Sequence, residues 1–490
     1  MKRREFILSA AASTGLAMSS HVSARNVFIR GRDVTYEPDQ YLKSTGLRIR
    51  DVVKLLKKGE KGNTPPVLRE EILDNPKAVF IIYAGINSGR LENGRWTTCY
   101  DQMKSFGHRV SELVFRKGTG NGGRTFIKPN MVGGLSRKNT VVNSHGGIVH
   151  PYFTVGMVDG LQSIGNTNIA IGARGALRHN HVVESGLEDL IDTHNLPLIE
   201  AHLQYFRDYD KSELVWHENP EGVVQRRFCT YKPVFEKGTT FINVAHAHTH
   251  KVGHTTLTLK NIQGVMPRGY GHICDAWTTM DLWRWNIKED FNPDWRINIE
   301  KSYVRHGDMG YRYWDDGGYY RSYKAGGGYE VFKREFDKVY SVYDRTPVKE
   351  RGELREKLID IADTRLFWAE IWAQRMMDII QAIPEPYVNM VEGVFARGHA
   401  GMVHADFLTV GRSMVAVDAV TSWVMGHDPH ELPYLRIANE RGLGENDIEK
   451  IPLFILSEKG PEKINDYRSL KRHRCGIYNY GLNEIGPRFY

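Results

Sequence analysis

Histidines are concentrated in one stretch, residues 240–272, which holds five of the twenty histidines of the chain. They are His246, His248, His250, His254 and His272. If residues 246–250 are extended, alternate side chains share one face, and two imidazoles there can chelate one divalent ion. If the segment is helical, His250 and His254 meet instead, because residues four apart are neighbours on a helix. The pattern predicts either a metal site or a hydrogen-bonded polar cluster.

Other candidate metal ligands follow this stretch, since Cys274 and Asp275 come directly after His272 and Ile273. Imidazoles combined with such groups suit a divalent metal such as nickel, zinc or iron. The four cysteines include no Cys-x-x-Cys pair, so the chain contains no local iron–sulfur cluster motif. If the histidines form a metal site and not a polar cluster, the expected cofactor is a divalent metal.

Two lysine–asparagine pairs follow apolar runs of strand character. Lys128 and Asn130 come after residues 125–127, and Lys260 and Asn261 end the alternating run that begins at residue 254. A buried lysine is costly unless it meets a ligand or a carboxylate. We therefore expect both lysines to anchor an anion or carbonyl group and both asparagines to orient the ligand. For Asn130 the alternative is a turn cap.

Two acids and one arginine complete the predicted site. The alternative to a ligand on Lys260 is an internal ion pair with Glu392 or Asp418. Asp418 interrupts an apolar helical run, so it is either a buried acid facing the site or a residue on the solvent side. The turn at residues 172–175 contains Arg174 and could bind an anion through its backbone N–H groups.

Strands that alternate with helices must position these residues. Apolar runs of strand length occur at residues 78–83, 125–127, 168–171, 196–200, 241–245 and 388–394, and the run at 254–265 is also strand-like. Helical patterns occur at residues 98–116, 155–164, 182–194, 351–380 and 413–425. Such alternation predicts an α/β fold with a mostly parallel, doubly wound sheet. Ligands bind at the carboxyl ends of the strands in such sheets, so the residues above should meet at one edge.

Residues 277–343 differ from the rest, because they are rich in Trp, Tyr and Gly without a helical or strand period. We interpret them as a long insertion on the ligand side of the sheet. Its aromatic rings could cover a sugar or another flat ligand. An oligomer contact or aromatic packing is the alternative.

The amino-terminal residues resemble an export signal rather than part of the fold. Arg3 and Arg4 precede an Ala-rich apolar run, and a Val-Ser-Ala site ends at Ala24. This predicts a twin-arginine signal peptide at residues 1–24, with the Tat export machinery as a partner and the periplasm as destination. No apolar run is long enough for a stable membrane span.

The charge of the chain excludes few functions. The formal charge of +8 is spread along 490 residues, which favours an acidic small-molecule partner only weakly and gives no support for nucleic-acid binding. Walker, H-E-x-x-H and G-x-S-x-G motifs are absent, which disfavours the P-loop nucleotide-binding, zincin and serine-hydrolase classes.

Four segments together resemble the domain-of-unknown-function family 362. They are residues 126–132, His150-Pro151, residues 241–267 with a Leu-Lys-Asn core, and Glu392-Gly393 followed by residues 415–426. The resemblance covers residues 75–445 apart from the insertion and implies an α/β fold. Many relatives carry an attached ferredoxin domain, whose cysteine motif does not occur in this chain. We therefore expect a domain at residues 25–445 and a carboxyl-terminal extension at 446–490.

A remoter resemblance connects residues 250–272 with nickel-pincer lactate racemases. Ten positions separate His250 from Lys260, and a glycine and His272 follow. The resemblance implies that His250 acts as acid and base, Lys260 anchors the pincer cofactor and His272 ligates nickel. Together these observations predict an exported enzyme that performs proton or hydride chemistry on a hydroxy acid or sugar acid. It would be an isomerase, an epimerase or an oxidoreductase, and a non-catalytic periplasmic binding protein is the alternative.

Overall fold

The computed structural model describes a defined set of residues. They are 25–29, 32–36, 63–86, 100–119, 122–130, 148–173, 198–200, 214–250, 253–267, 270, 288–295, 298, 338–339, 341–342, 345–347, 350, 353–354, 365–398, 401–473 and 475. The export signal, the predicted helix at 182–194, Arg174 and His272 lie outside this set, as does most of the aromatic insertion.

The described elements are sixteen strands and eight α-helices. Strands β1 to β16 are Arg25–Ile29, Arg32–Tyr36, Pro66–Leu68, Val79–Tyr83, Phe115–Lys117, Arg124–Pro129, Ile169–Ala173, Leu198–Glu200, Leu214–Glu218, Arg227–Tyr231, Thr239–His250, His254–Thr256, Val388–Gly398, Gly401–Gly411, Leu453–Ser457 and Gly460–Ile464. Helices α1 to α8 are Glu70–Leu73, Tyr100–Val114, Pro151–Ser163, Lys232–Phe235, Thr258–Asn261, Arg365–Ala382, Met414–Val424 and Pro433–Glu440.

The chain divides into two compact units, residues 1–46 and residues 47–490. In the first unit β1 and β2 form an antiparallel hairpin. The second unit contains a ten-stranded sheet in the order β16-β15-β4-β14-β13-β11-β6-β7-β8, with β12 paired to β11. Strands β8, β7, β6, β11 and β13 are parallel neighbours.

The predicted α/β class is confirmed, and the sheet is mixed. Strand β14 runs antiparallel to both β13 and β4, and β15 pairs parallel with β4. Strands β15 and β16 lie within residues 446–490, the predicted carboxyl-terminal extension, so part of that segment belongs to the central sheet. Among the described residues, no helix has both the length and the apolar character needed to cross a membrane.

Helices α2 and α3 pack closely because glycines lie where they cross. A Cβ atom at Gly156 of α3 would lie 1.9 Å from the carbonyl oxygen of Lys104 in α2. A Cβ atom at Gly107 of α2 would lie 2.1 Å from the carbonyl oxygen of Phe153. Both distances are far inside van der Waals contact, so any larger residue would push the helices apart. Helix α3 thereby stays fixed, with its first turn beside β13.

Two predictions around the histidines are wrong in their boundaries. The strand predicted at residues 241–245 continues to His250, because β12 pairs antiparallel with its last residues. The run predicted as a strand at 254–265 is extended only to Thr256 and then forms α5 and a 3₁₀ helix, Ile262–Val265. The alternation of Thr and Leu suggested a strand, but a carboxylate from another helix binds the first N–H groups of α5.

Candidate functional site

The carboxyl ends of β6, β11 and β13 bring the predicted residues to one edge of the sheet. In the parallel register Lys128 is opposite Asn243, and His246 is opposite Glu392. The backbone N–H of Asn130 donates to the carbonyl of Val244 at 2.8 Å, so the chain leaves β6 beside β11. Parallel strands place their carboxyl ends together, which is why residues distant in sequence lie at this edge. Asn243 and His246 are three residues apart in β11, so Lys128 and the His246–Glu392 pair project from opposite faces of the sheet.

Asp418 supports the short helix that carries Lys260 and Asn261. Its carboxylate accepts hydrogen bonds from the backbone N–H groups of Thr258 at 2.8 Å and Leu259 at 3.1 Å, and from the Thr258 hydroxyl. Burial raises the pKa of Asp418 to about 7, and the bonds from Thr258 and Leu259 oppose that shift. Of the two interpretations of Asp418, the buried acid is the one observed, and what it contacts is the amino end of α5.

The two lysines are both nearly buried and have different partners. Lys128, 1% exposed, donates from Nζ to Oδ1 of Asn261. Lys260, 6% exposed, donates to the Thr256 hydroxyl at 3.3 Å. Thr256 pairs with His248 across the β11–β12 hairpin, so Lys260 lies next to His248.

Glu392 forms an acid–imidazole pair with His246. Glu392 Oε2 lies 3.7 Å from His246 Nε2, and that nitrogen is 3.0 Å from the carbonyl oxygen of Phe395. The carboxylate also accepts N–H bonds from Val394 at 2.8 Å and His150 at 3.3 Å. Burial nevertheless raises the pKa of Glu392 to about 7, so this acid can hold a proton near neutrality.

His248 has the opposite electrostatic environment. Burial holds the pKa of His248 well below its usual value, and His246, Lys260 and Arg397 lower it further. The rings of His246 and His248 have centroids 5.9 Å apart. Within the described part of the chain, Nδ1 of His248 is buried and makes no hydrogen bond. His248 is therefore a neutral imidazole, two residues along β11 from the His246 that faces Glu392.

His250 and His254 pair with each other at the end of the hairpin. The ring of His250 stacks on Trp372 of α6 at 5.9 Å, and its Nδ1 accepts a hydrogen bond from the N–H of Gly253. His254 has a left-handed backbone with φ of 61°, and burial lowers the pKa of His254 to about 4. A non-glycine residue in this region is strained.

The described histidines do not surround a common point. No group of three or more His, Cys, Asp or Glu side chains in the described ranges is placed to hold a metal ion. The described histidines alone therefore do not fit a metal centre, and the predicted ligand His272 lies outside those ranges, as does Arg174.

Three contributors to this edge were not predicted as site residues. His150 caps α3, since its Nδ1 accepts from the N–H of Tyr152, and its own N–H binds Glu392. Asn243 and Asn389 face each other on neighbouring strands, with an amide hydrogen bond of 2.9 Å. The available signal was an asparagine inside an apolar strand run, which is costly to bury without a partner.

Comparison with protein-family models assigns the chain to a family. The family model described as Domain of unknown function (DUF362) matches residues 125–423, which is more than half of the sequence. The chain belongs to the DUF362 family. The matched range begins in β6 and ends in α7, so the DUF362 region contains Lys128, the histidines of β11, Glu392 and Asp418. No curated protein and no solved structure matches the chain significantly.

The pH dependence of the free energy of unfolding of this DUF362 protein should reveal the raised pKa of Glu392. Its pKa is about 7 in the folded state against an ordinary 4.5, so its stabilising contribution is present below pH 4.5 and lost as the pH rises to 7. One pKa unit is worth about 1.4 kcal/mol, so the loss reaches about 3 kcal/mol. Glu392→Gln cannot ionise. Its free energy of unfolding relative to wild type should therefore increase by up to that amount between pH 5 and pH 8.

Urea denaturation of both proteins at several pH values measures this difference. Both proteins contain the same histidines, so the contributions of the histidines to the pH dependence cancel in the difference. Glu462→Gln, on the exposed edge strand β16, is the control and should show a constant difference. A difference for Glu392→Gln that does not change with pH would contradict an acid protonated by burial.

Proposed function

We propose that this DUF362 protein is an enzyme that moves a proton at a carbon next to a carboxylate, as an isomerase or epimerase of a hydroxy acid or sugar acid. One observation supports this most directly. Glu392 and His248 lie at the same strand ends with their pKa values shifted in opposite directions by burial and charge. Such a pair supplies an acid and a base in their working states at neutral pH.

The roles follow from the state of each group. Neutral His248 takes the proton, so a C–H bond breaks and an N–H bond forms. Protonated Glu392 gives its proton to the resulting enolate carbon, so an O–H bond breaks and a C–H bond forms. Lys260, beside His248, holds the substrate carboxylate and the developing negative charge. His246 lies between the two groups and provides a path that returns the proton to Glu392.

The proposed base, His248, differs from the base predicted from the sequence, which was His250. His250 stacks on Trp372 and binds the Gly253 N–H, whereas His248 has a buried nitrogen beside Lys260. The described residues therefore favour His248. A metal or pincer-type cofactor held in part by His272 stays a prediction, and so does oxidoreductase chemistry. Export by the twin-arginine route is likewise proposed on Arg3, Arg4 and Ala24.

Deuterium exchange tests proton removal without knowledge of the product. The full chain is incubated in D₂O with D-lactate, L-lactate, D-gluconate or D-glucuronate, and proton NMR follows the signal of the hydrogen next to the carboxylate. We expect the wild-type protein to exchange this hydrogen in at least one acid. His248→Asn, Glu392→Gln and Lys260→Met should each slow exchange by about 10²–10⁴-fold, the usual contribution of a positioned acid or base.

The matched control is His217→Gln, since His217 is also a buried histidine but binds Thr230 within the β9–β10 hairpin. The His217→Gln protein should exchange the substrate hydrogen at the wild-type rate. Saturation-transfer NMR on the same samples separates the remaining outcomes. Binding of an acid without exchange would overturn the catalytic proposal in favour of a binding protein. Neither binding nor exchange would overturn the proposed substrate class.

A further inference from the structure

Three asparagines form a continuous row under the predicted site. Asn243 lies in β11, Asn389 in the adjacent β13 and Asn261 at the end of α5, and all three are buried. Asn389 binds Asn243 at 2.9 Å, and Asn243 binds Asn261 at 2.7 Å. We call Asn243, Asn261 and Asn389 the asparagine row. It ends at Lys128, whose Nζ donates to Asn261.

A backbone carbonyl fixes the orientation of each amide, because a carbonyl oxygen only accepts hydrogen bonds. The Nδ2 group of Asn389 donates to the carbonyl of Arg412 at 2.7 Å. That of Asn243 donates to the carbonyl of Thr258 at 3.0 Å. That of Asn261 donates to the carbonyls of Val244 at 3.0 Å and Lys128 at 3.2 Å. None of the three amides can be reversed without placing an oxygen against another oxygen.

The fixed orientations give the row one direction. The row runs from the Arg412 carbonyl to the Lys128 ammonium group, and each amide turns its oxygen towards the ammonium end and its NH₂ group away from that end. Hydrogen bonds aligned in this way polarise one another, so the last oxygen is a stronger acceptor than an isolated amide. An oxygen facing Nζ stabilises the charged ammonium, whereas a neutral amine would gain from a donor to its lone pair.

We infer that the asparagine row holds Lys128 as a permanent cation, so that Lys128 is neither a nucleophile nor a base. Asn243 and Asn389 are positioning residues in this inference, since they act on Lys128 through Asn261. A buried ammonium is tolerated only when hydrogen bonds offset its lost hydration, and the row contributes an aligned acceptor to that compensation.

The inference concerns the charge of Lys128 in the free protein and does not depend on the proposed reaction. The full chain is labelled with ¹⁵N and ¹³C in lysine, and the Lys128 signal is assigned by its loss in Lys128→Met. At pH 7.5 the Nζ nitrogen of Lys128 should show the chemical shift of an ammonium. In Asn261→Leu, which removes the accepting oxygen, the same nitrogen should move towards the shift of a neutral amine.

Graded variants distinguish the row from general packing. Asn243→Leu should displace the Lys128 signal less than Asn261→Leu does, and Asn389→Leu should displace it least. Thr409→Val is the matched control, because Thr409 is a buried polar residue on β14, next to β13. Its hydroxyl forms a hydrogen bond with the hydroxyl of Thr421, which is not part of the row. Thr409→Val should leave the signal in place. A neutral Lys128 in the wild type would overturn the inference, and this measurement requires no variant of the row to fold.

Discussion

Replacing Asp378 by Ala is expected to lower the free energy of unfolding by about 3–5 kcal/mol, the cost of breaking a buried charge pair. Asp378 lies in α6 and is fully buried. Its carboxylate accepts the backbone N–H groups of Val223, Val224 and Gln225 at 2.7–2.8 Å, and Arg441 donates to it at 2.8 Å. The substitution leaves several buried donors without an acceptor, which costs more than the bonds contribute when they are formed.

Urea denaturation measures this loss. Asp378→Asn separates charge from geometry, because its amide keeps one accepting oxygen and turns an NH₂ group towards the other donors. It should retain part of the stability that Asp378→Ala loses. Asp466→Ala is the control, since Asp466 caps a short 3₁₀ helix in solvent, where its carboxylate accepts the N–H of Arg468 and lies 3.7 Å from the exposed Arg468 guanidinium. Equal losses for Asp378→Ala and Asp466→Ala would refute the view that residues 223–225 depend on α6 for their hydrogen bonds.

Elements with a strong local pattern could be predicted from sequence. The apolar run at residues 78–83 is β4, and the amphipathic run at 98–116 is α2. Strand β14 was not predicted, because its sequence mixes His404 and Asp406 with apolar residues. Asp406 has φ of 57°, and its carboxylate accepts the N–H groups of Gly85 and Ile86 beyond β4. The strand is therefore stabilised by a partner distant in sequence, which local periodicity does not reveal.

The sheet edge at which several of these residues lie could be predicted, but their contacts could not. Lys128, His246 and Glu392 were expected at one sheet edge, and the parallel register places them there. Their partners depend on which strands are neighbours. His246 was predicted to bind a metal, and in the described structure it faces Glu392, because β11 and β13 are adjacent. Sequence gives the order of strands along the chain, not their order in the sheet.

The position of Lys260 and Asn261 is expected to depend on Asp418. Helix α5 has four residues, too few to be stable without external hydrogen bonds. Asp418 binds its first two N–H groups and the hydroxyl of Thr258. Asp418→Ala leaves these buried donors unpaired, so the free energy of unfolding should fall by about 3 kcal/mol. In addition, α5 should open locally more often than the rest of the core.

Hydrogen–deuterium exchange with mass spectrometry detects that local opening. Peptides that cover residues 257–265 should exchange faster in Asp418→Ala, while peptides from β13 should keep their wild-type rate. Thr421→Val is the matched control, because Thr421 lies in the same helix and binds the carbonyl of Val417 and the Thr409 hydroxyl. It should cost about 1 kcal/mol of stability without faster exchange at residues 257–265. The same exchange rate there in both variants would show that α5 is held by packing and that Asp418 does not position Lys260.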